Sequence, residues 1–268
     1  MQGASRTSMV GLRERFDRLP AATDLNRLAD DLFAVVRVLD ENHTLRRALA
    51  DPATSADNKG ALVHGLFDGK IGTESADLVA AAAGLRWSTS AELADGLEQL
   101  GMYAIAASAE GGSRLDDVED ELFRFGRIVE REPQLRSALT DRAASPDARN
   151  GLVNDLLNGK ATAETVRLVG EVVTHPRGRS LERGLDLCGQ VVAQRRQRLV
   201  ALVRSAVPLT EQQKGRLAAA LTAQYGHEVH LNTEVDPKVV GGLSVHVGDD
   251  VIDGTVAGRL EDVRRRLG

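Results

Sequence analysis

Apolar residues along the first two hundred positions recur every three or four residues, the spacing of amphipathic helices. Met9, Leu12, Phe16 and Leu19 form the first stripe, which Pro20 stops. Leu25, Leu28, Leu32, Val35, Val36 and Leu39 form a longer one, matched later by Leu115, Val118, Leu122, Phe125 and Val129. A short helical turn follows each, around Leu45 and Leu49 and around Leu135 and Leu139. Ser55 with Asp57, and Ser145 with Pro146 and Asp147, then supply an N-cap and a favourable charge for a further helix. Those helices carry Leu62, Val63, Leu66 and Phe67, or Leu152, Val153, Leu156 and Leu157, and Gly69 and Gly159 read as their stops. New helices begin near Thr73 and Glu74 and near Thr162 and Glu164. Amphipathic stretches close each set, one at about residues 89–108, the other along Leu181, Leu185, Cys188 and Val192.

After about residue 198 the period falls towards two. Leu199 to Val207 read as a strand buried on both faces and ended by Pro208. Thr210 and Gln213 form a capping box that opens a helix with Leu217, Leu221 and Tyr225 in line, stopped by Gly226. A second strand turns Val229, Leu231 and Val235 inward and His230, Asn232 and Glu234 outward, and Pro237 bars its continuation. A third places Leu243, Val245 and Val247 on one side, Gly248, Asp249 and Asp250 make a turn, and Val256, Leu260, Val263 and Leu267 line a terminal helix.

The helical stripes are one block written twice. Residues 32–80 align without a gap onto residues 122–170, with 19 identities in 49 positions, against about 3 or 4 expected from average usage. The expected fold is therefore mainly α with a small α+β C-terminal domain: two tandem helical bundles of about five short helices each, then a few-stranded sheet with helices. The corresponding domains are residues 1–108, 109–198 and 199–268.

Composition fits this picture. Among 268 residues 42% are hydrophobic and only 3% aromatic, so the cores must be built from Leu, Val and Ala. A net charge of −5 with scattered cations argues against nucleic acid as a partner. The basic runs Arg195, Arg196, Arg198 and Arg264, Arg265, Arg266 read as a solvated helix face and a helix C-terminus. A lone cysteine, Cys188, fits a reducing compartment, with the cytoplasm as the default, and no apolar window is long enough to span a membrane.

No catalytic constellation emerges, and no catalytic, cofactor-binding or metal-ligating residue is assigned. Gly69–Lys70 and Gly159–Lys160 fail the spacing of a phosphate loop, and Ile71 or Ala161 follows the lysine where Ser or Thr is needed. His227 and His230 fall on opposite faces of a strand, and His230 with His246 has no third ligand. Neither Ser113 nor Ser244 has the Gly-x-Ser-x-Gly pattern of a nucleophile elbow. Cys188 sits on an apolar stripe as a small core residue, and Asp249, Asp250 and Asp253 read as a solvated turn and a helix start.

The tail carries a more specific pattern: Ser205, Ala206, Pro208 and Leu209; Val235, Asp236 and Pro237; Gly241 and Gly242; Gly248; Ile252, Asp253 and Gly254; Arg259 and Leu260. In this order it resembles the C-terminal signature of the delta subunit of bacterial F-type ATP synthases, the counterpart of the mitochondrial oligomycin-sensitivity-conferring protein. The second copy, through Tyr103 and Ala104, Glu121 and Leu122, then Pro133, Leu135 and Leu139, resembles that family's N-terminal bundle. The first copy is additional to the family pattern. The resemblance implies a noncatalytic stator of the peripheral stalk, without cofactor, coupling proton translocation to ATP synthesis. Its helical bundle would bind the alpha subunits of the catalytic head and its C-terminal domain the membrane-anchored b subunit. It would lie peripherally on the cytoplasmic face of the plasma membrane, held there only through partners. The competing reading from the repeat alone is a helical-repeat adaptor of another assembly.

Overall fold

Each apolar stripe of the duplicated block becomes a helix at the register the repeat demands. The computed structural model describes residues 3–196, 199–225, 229–236, 239, 241–247 and 250–253. Its helices are α1 (Ala4–Asp17), α2 (Leu25–Glu41), α3 (His43–Ala50), α4 (Ala56–Phe67), α5 (Thr73–Gly84), α6 (Ser90–Gly111), α7 (Leu115–Arg131), α8 (Pro133–Leu139), α9 (Pro146–Leu157), α10 (Ala163–Thr174) and α11 (Leu181–Arg196). Helices α2 to α5 and α7 to α10 are counterparts ninety residues apart.

The caps are those the sequence supplies. Ser55 accepts from Asn58 N at 3.3 Å and Ser145 from Ala148 N at 3.1 Å, each closing the first turn of its helix. Gly69 and Gly159 take φ of 74° and 72° beyond α4 and α9, a conformation open to glycine without a steric cost. The lysine after each glycine returns to cap the helix it leaves: Lys70 Nζ donates to Leu66 O at 2.8 Å and Lys160 Nζ to Leu156 O at 3.1 Å. The Gly-Lys pairs are thus helix terminators in both copies.

Two further devices recur with altered chemistry. Asp31 on α2 accepts from Gly72 N at 2.8 Å and Ser75 Oγ at 2.7 Å, while Glu121 on α7 accepts from Thr162 N at 2.9 Å and Thr162 Oγ1 at 2.8 Å. A carboxylate of the long helix therefore holds the N-terminus of α5 or α10, where its charge suits the helix dipole. At the other end Lys59 Nζ donates to Ala83 O at 3.0 Å and Arg149 Nη1 to Val173 O at 2.7 Å. Burial lowers the pKa of Lys59, with Asp51 opposing that effect.

The copies meet through α6. Leu93, Leu97, Leu100, Met102, Tyr103 and Ile105 are all fully buried and point around the whole circumference of this helix, as expected of one enclosed on every side. By the ninety-residue offset it stands both where copy one needs the counterpart of α11 and where copy two needs the counterpart of α1, so one helix belongs to both bundles. A single core runs from Met9 to Val192 across both copies, and the chain to Ala193 forms one compact unit. The boundary expected at 108/109 falls in the last turn of α6. Helix α1 packs within copy one: Ser5 Oγ donates to Glu92 at 2.7 Å, and the Phe16 and Tyr103 rings meet edge to face at 5.2 Å.

Glycines let α6 be approached closely. A Cβ on Gly101 would stand 2.7 Å from the Phe33 ring of α2, and one on Gly96 would stand 2.4 Å from Trp87. Cys188 is fully buried against this helix, 3.9 Å from Met102 Sδ, and burial pushes its thiol pKa up to about 12.

The second compact unit, described from Gln194 on, holds β1 (Leu199–Ser205), α12 (Glu211–Tyr225), β2 (Val229–Val235), β3 (Leu243–Val247) and β4 (Asp250–Asp253). The sheet order is β2-β1-β3-β4, with β1 and β2 parallel across α12 and the other pairs antiparallel. Ala201, Val203, Leu221, Val229 and Val245 form its separate core. The Thr210–Gln213 capping box is present, with Thr210 N donating to Gln213 Oε1 at 2.9 Å and Gln213 N to Thr210 Oγ1 at 3.3 Å.

Three expectations for this unit are corrected. β1 is not buried on both faces: Ala201, Val203 and Ser205 are buried, whereas Arg204 is exposed and pairs with Glu234 of the adjacent strand at 3.1 Å. Val235 does not turn inward; it ends an edge strand and is 49% exposed. Asp250 and Asp253 belong neither to a turn nor to a helix start, because they bound a fourth strand paired to β3. The terminal helix, with Val256, Leu260, Val263 and Leu267, lies outside the described residues, as do Gly226, His227, Gly248 and Asp249.

Gly101→Val should force the Phe33 ring out of its seat and destabilise the helical unit by about 1–3 kcal/mol, whereas Gly189→Ala, where a Cβ meets nothing within 4 Å, should be neutral or stabilising. Urea denaturation followed by circular dichroism checks the contrast, and equal midpoints for the two variants would refute it.

Candidate interaction surfaces

The strongest polar constellation joins the two copies. The α10–α11 linker carries Pro176, Arg177, Gly178 and Arg179, and Arg177 takes φ of 49° before Gly178 at 75°. A non-glycine residue in this region costs about 1–3 kcal/mol and persists only when its surroundings over-determine it. Here they do. The Arg177 guanidinium grips Asp40 of α2 with two nitrogens, at 2.6 and 3.2 Å, and meets Asp95 and Glu98 of α6 at 2.8 and 2.6 Å. Arg179 also bonds Glu98, and Arg46 reaches Asp40 at 3.1 Å. Three guanidinium groups thus balance three carboxylates, and the Glu98 side chain is only 3% exposed. Burial alone would lower the pKa of Arg177, but the hydrogen bond to Asp40 and the nearby charges of Glu98 and Asp95 raise it, so its charge is permanent.

A second contact lies along α2. Arg167 of α10 bonds Asp30 and Asn26, with Nη2 at 3.1 Å from the Asn26 carbonyl, and Glu171 stands 3.6 Å from Arg37. Between these charges Phe33 is 3% exposed. Within copy two, Arg114 pairs with Glu164, whose pKa burial pushes up but the hydrogen bond from Arg114 brings down overall.

Sequence reasoning missed the Arg177 network because no local pattern marks it. At the same place in copy one stands Trp87, whose Nε1 donates to Ala82 O at 2.8 Å and which plugs its own bundle at Gly96. The only available signal was two arginines around a glycine in a short linker.

The tail signature gathers at one end of the sheet. Ser205, the last residue of β1, is in register with Val235 on one side and Leu243 on the other, and Ser244 beside it faces Asp253. Asp236 N donates to Ser205 O at 2.9 Å, Val239 N to Asp236 O at 3.1 Å and Gly241 N to Val239 O at 3.1 Å, holding the turn into β3. Ser205 Oγ donates to Val207 O at 2.7 Å, and the exposed Pro208 follows. Gly241 and Gly242 take φ of 66° and 78°. The signature residues described thus lie in the strand ends and turns at a shared end of the sheet, while Pro237, Gly248, Gly254, Arg259 and Leu260 lie outside the described residues. Among the described residues no group of three His, Cys, Asp or Glu side chains could hold a metal, and no helix is long and apolar enough to cross a membrane.

A model of the ATP synthase delta (OSCP) subunit family matches residues 102–267, beginning inside α6 where its second half enters copy two. The ATP synthase subunit delta of Streptomyces avermitilis is 52% identical over 99% of this chain and 98% of its own length. That of Thermobifida fusca is 48% identical over 100% and 99%, and that of Acidothermus cellulolyticus 44% identical over 100% and 99%. These matches extend over both helical copies, so the additional bundle is shared with those relatives.

Arg177→Met should cost about 1–3 kcal/mol, since it takes the fork from Asp40 and one of two guanidinium partners from the buried Glu98; Arg177→Lys should recover little, because an ammonium cannot fork onto Asp40. Denaturant unfolding tests both, and a loss below about 0.5 kcal/mol for the Met variant would sink this account. Gly242→Val should place a β-branched residue in the left-handed region and speed amide exchange along β3; unchanged protection would exclude a backbone role.

Proposed function

The chain belongs to the ATP synthase delta (OSCP) subunit family, whose place is in the peripheral stalk of the enzyme, and from that premise we propose how its parts divide the work. The chain is a noncatalytic stator. Its helical unit binds the alpha subunits at the catalytic head, and its C-terminal unit binds the membrane-anchored b subunit at the cytoplasmic face of the membrane. Copy two takes the family's usual role at the head, and copy one is an added bundle that stiffens the attachment. The tail signature contributes by shaping the sheet end formed by Ser205, Val235, Asp236, Gly241 and Gly242.

The observation that carries this reading is the extent of the family match, residues 102–267, which takes in the second half of α6, the helices of copy two and the C-terminal unit. The physics of the task supports it. A stator must resist torque without chemistry of its own, which calls for rigid helical surfaces contacting partners over a large area. The shared helix α6 and the Arg177 network couple the copies into one core, so a load applied to copy two is borne by copy one as well.

Tagged full-length chain should co-purify with alpha and b subunits from solubilised membranes. A chain ending at Arg196, which keeps the whole helical unit, should retain alpha and lose b. Recovery of neither subunit with the full chain would overturn the stator reading, and equal loss of both with the shortened chain would overturn the division of labour. Removing residues 22–108 is not a usable test of copy one, because it takes away most of α6 and with it the core of copy two.

A further inference from the structure

The contact between the copies is also a template. On α2, Asp30, Phe33 and Arg37 receive α10: Arg167 bonds Asp30, Glu171 faces Arg37 and the phenyl ring is buried between them. The repeat places Asp120, Phe123 and Arg127 at the same three positions of α7, identical in type. There the ring is not covered. Phe123 is 67% exposed, the most exposed large apolar side chain described in the helical unit, and Ile128, five residues further along α7, is 49% exposed. The flanking charges are held only by neighbours on their own helix, Asp120 by Arg124 and Arg127 by Glu130 at 3.8 Å, and all four side chains are more than half exposed. Exposed pairs of this kind contribute about 0–1 kcal/mol and are readily exchanged for a partner's charges.

Copy one shows why its own triad is covered. Phe33 rests on Gly101 in the second half of α6 and lines, with Arg167 and Glu171 of α10, a cleft of about 370 Å³. In copy two the place of Gly101 is taken by the buried Val191 of α11, and no counterpart of the covering α10 follows, because α11 leads into β1 and not into a further set of helices.

We propose that the Asp120–Phe123–Arg127 face of α7 is a docking surface for a helix of a partner protein that presents a basic residue and, four positions on, an acidic one, as Arg167 and Glu171 of α10 do towards α2. The charge order fixes the polarity of the incoming helix, and the phenyl ring supplies the buried anchor. A second copy of this chain does not fit the role: its α10 is engaged by α2, and α5, the counterpart of α10, carries Asp77 and Ala81 where α10 has Arg167 and Glu171. The peptide test below involves neither alpha nor b, so its outcome does not depend on those proposed contacts.

The probe is a labelled synthetic peptide of residues 161–176, stapled between positions 165 and 169 on the face away from Arg167 and Glu171, because a free helix of this length is marginal in water. Titrated against the full chain, it should bind saturably, and Phe123→Asp should weaken it about tenfold or more. The double variant Asp120→Arg, Arg127→Glu should also lose the peptide, and a peptide carrying Arg167→Glu and Glu171→Arg should bind that variant in preference to the parent chain. Unchanged circular dichroism melts keep these exposed substitutions interpretable. No saturable binding up to about 1 mM, binding insensitive to the α7 substitutions, or failure of the charge-swapped pair to restore it would each overturn the proposal.

Discussion

The burial of α6 on all its faces is the constraint from which the helical unit follows. A helix enclosed all round cannot carry a polar stripe, which is why its middle reads Leu-Gly-Met-Tyr-Ala-Ile-Ala-Ala, and it cannot be approached closely without small residues, which is why Gly96 and Gly101 face Trp87 and Phe33. Glu98 is the exception that confirms the pressure. It is tolerated in this place because Arg177 and Arg179 come from copy two to neutralise it. The apolar packing of α6 and the ionic clamp on its flank therefore serve the same end, fixing one copy against the other.

The copies have diverged where their surroundings differ and kept pace where they do not. The Gly-Lys terminators are retained, and the acid that holds the start of α5 or α10 is lengthened from Asp31 to Glu121 as Gly72 gives way to Thr162. Where α9 crosses α10, Asn150 and Gly170 replace the Gly60 and Ala80 of copy one, so bulk has moved from one helix to the other. At the linker before the last helix the change is qualitative: Trp87 plugs its own bundle, and Arg177 reaches into the neighbouring one.

The helices, their caps and the duplication were legible because they rest on local patterns: apolar spacing, Ser55 and Ser145 as N-caps, Gly69 and Gly159 as stops. The family signature was legible too, and those of its residues that are described gather at one sheet end, with Ser205 as their meeting point. The fourth strand was not, since Asp250 to Asp253 is short and begins and ends with an acid that strands usually avoid. Nor was the exposure of Val235, which depends on β2 being an edge. The Arg177 network needed contacts between residues about eighty or more positions apart, and nothing in a linear pattern of apolar residues reports which charges will be brought together.

Sharing α6 imposes a counting rule. Each copy contributes five helices, and a single closing helix completes the last, which accounts for the eleven described helices of the unit. A bundle made this way has no interchangeable ends: every copy but the last has its outer face covered by its successor, and the last is finished only by its closing helix. The ninety-residue step is thus the rise of a short ladder rather than the size of a domain, and lengthening the ladder would mean splicing a whole step into the middle of a helix.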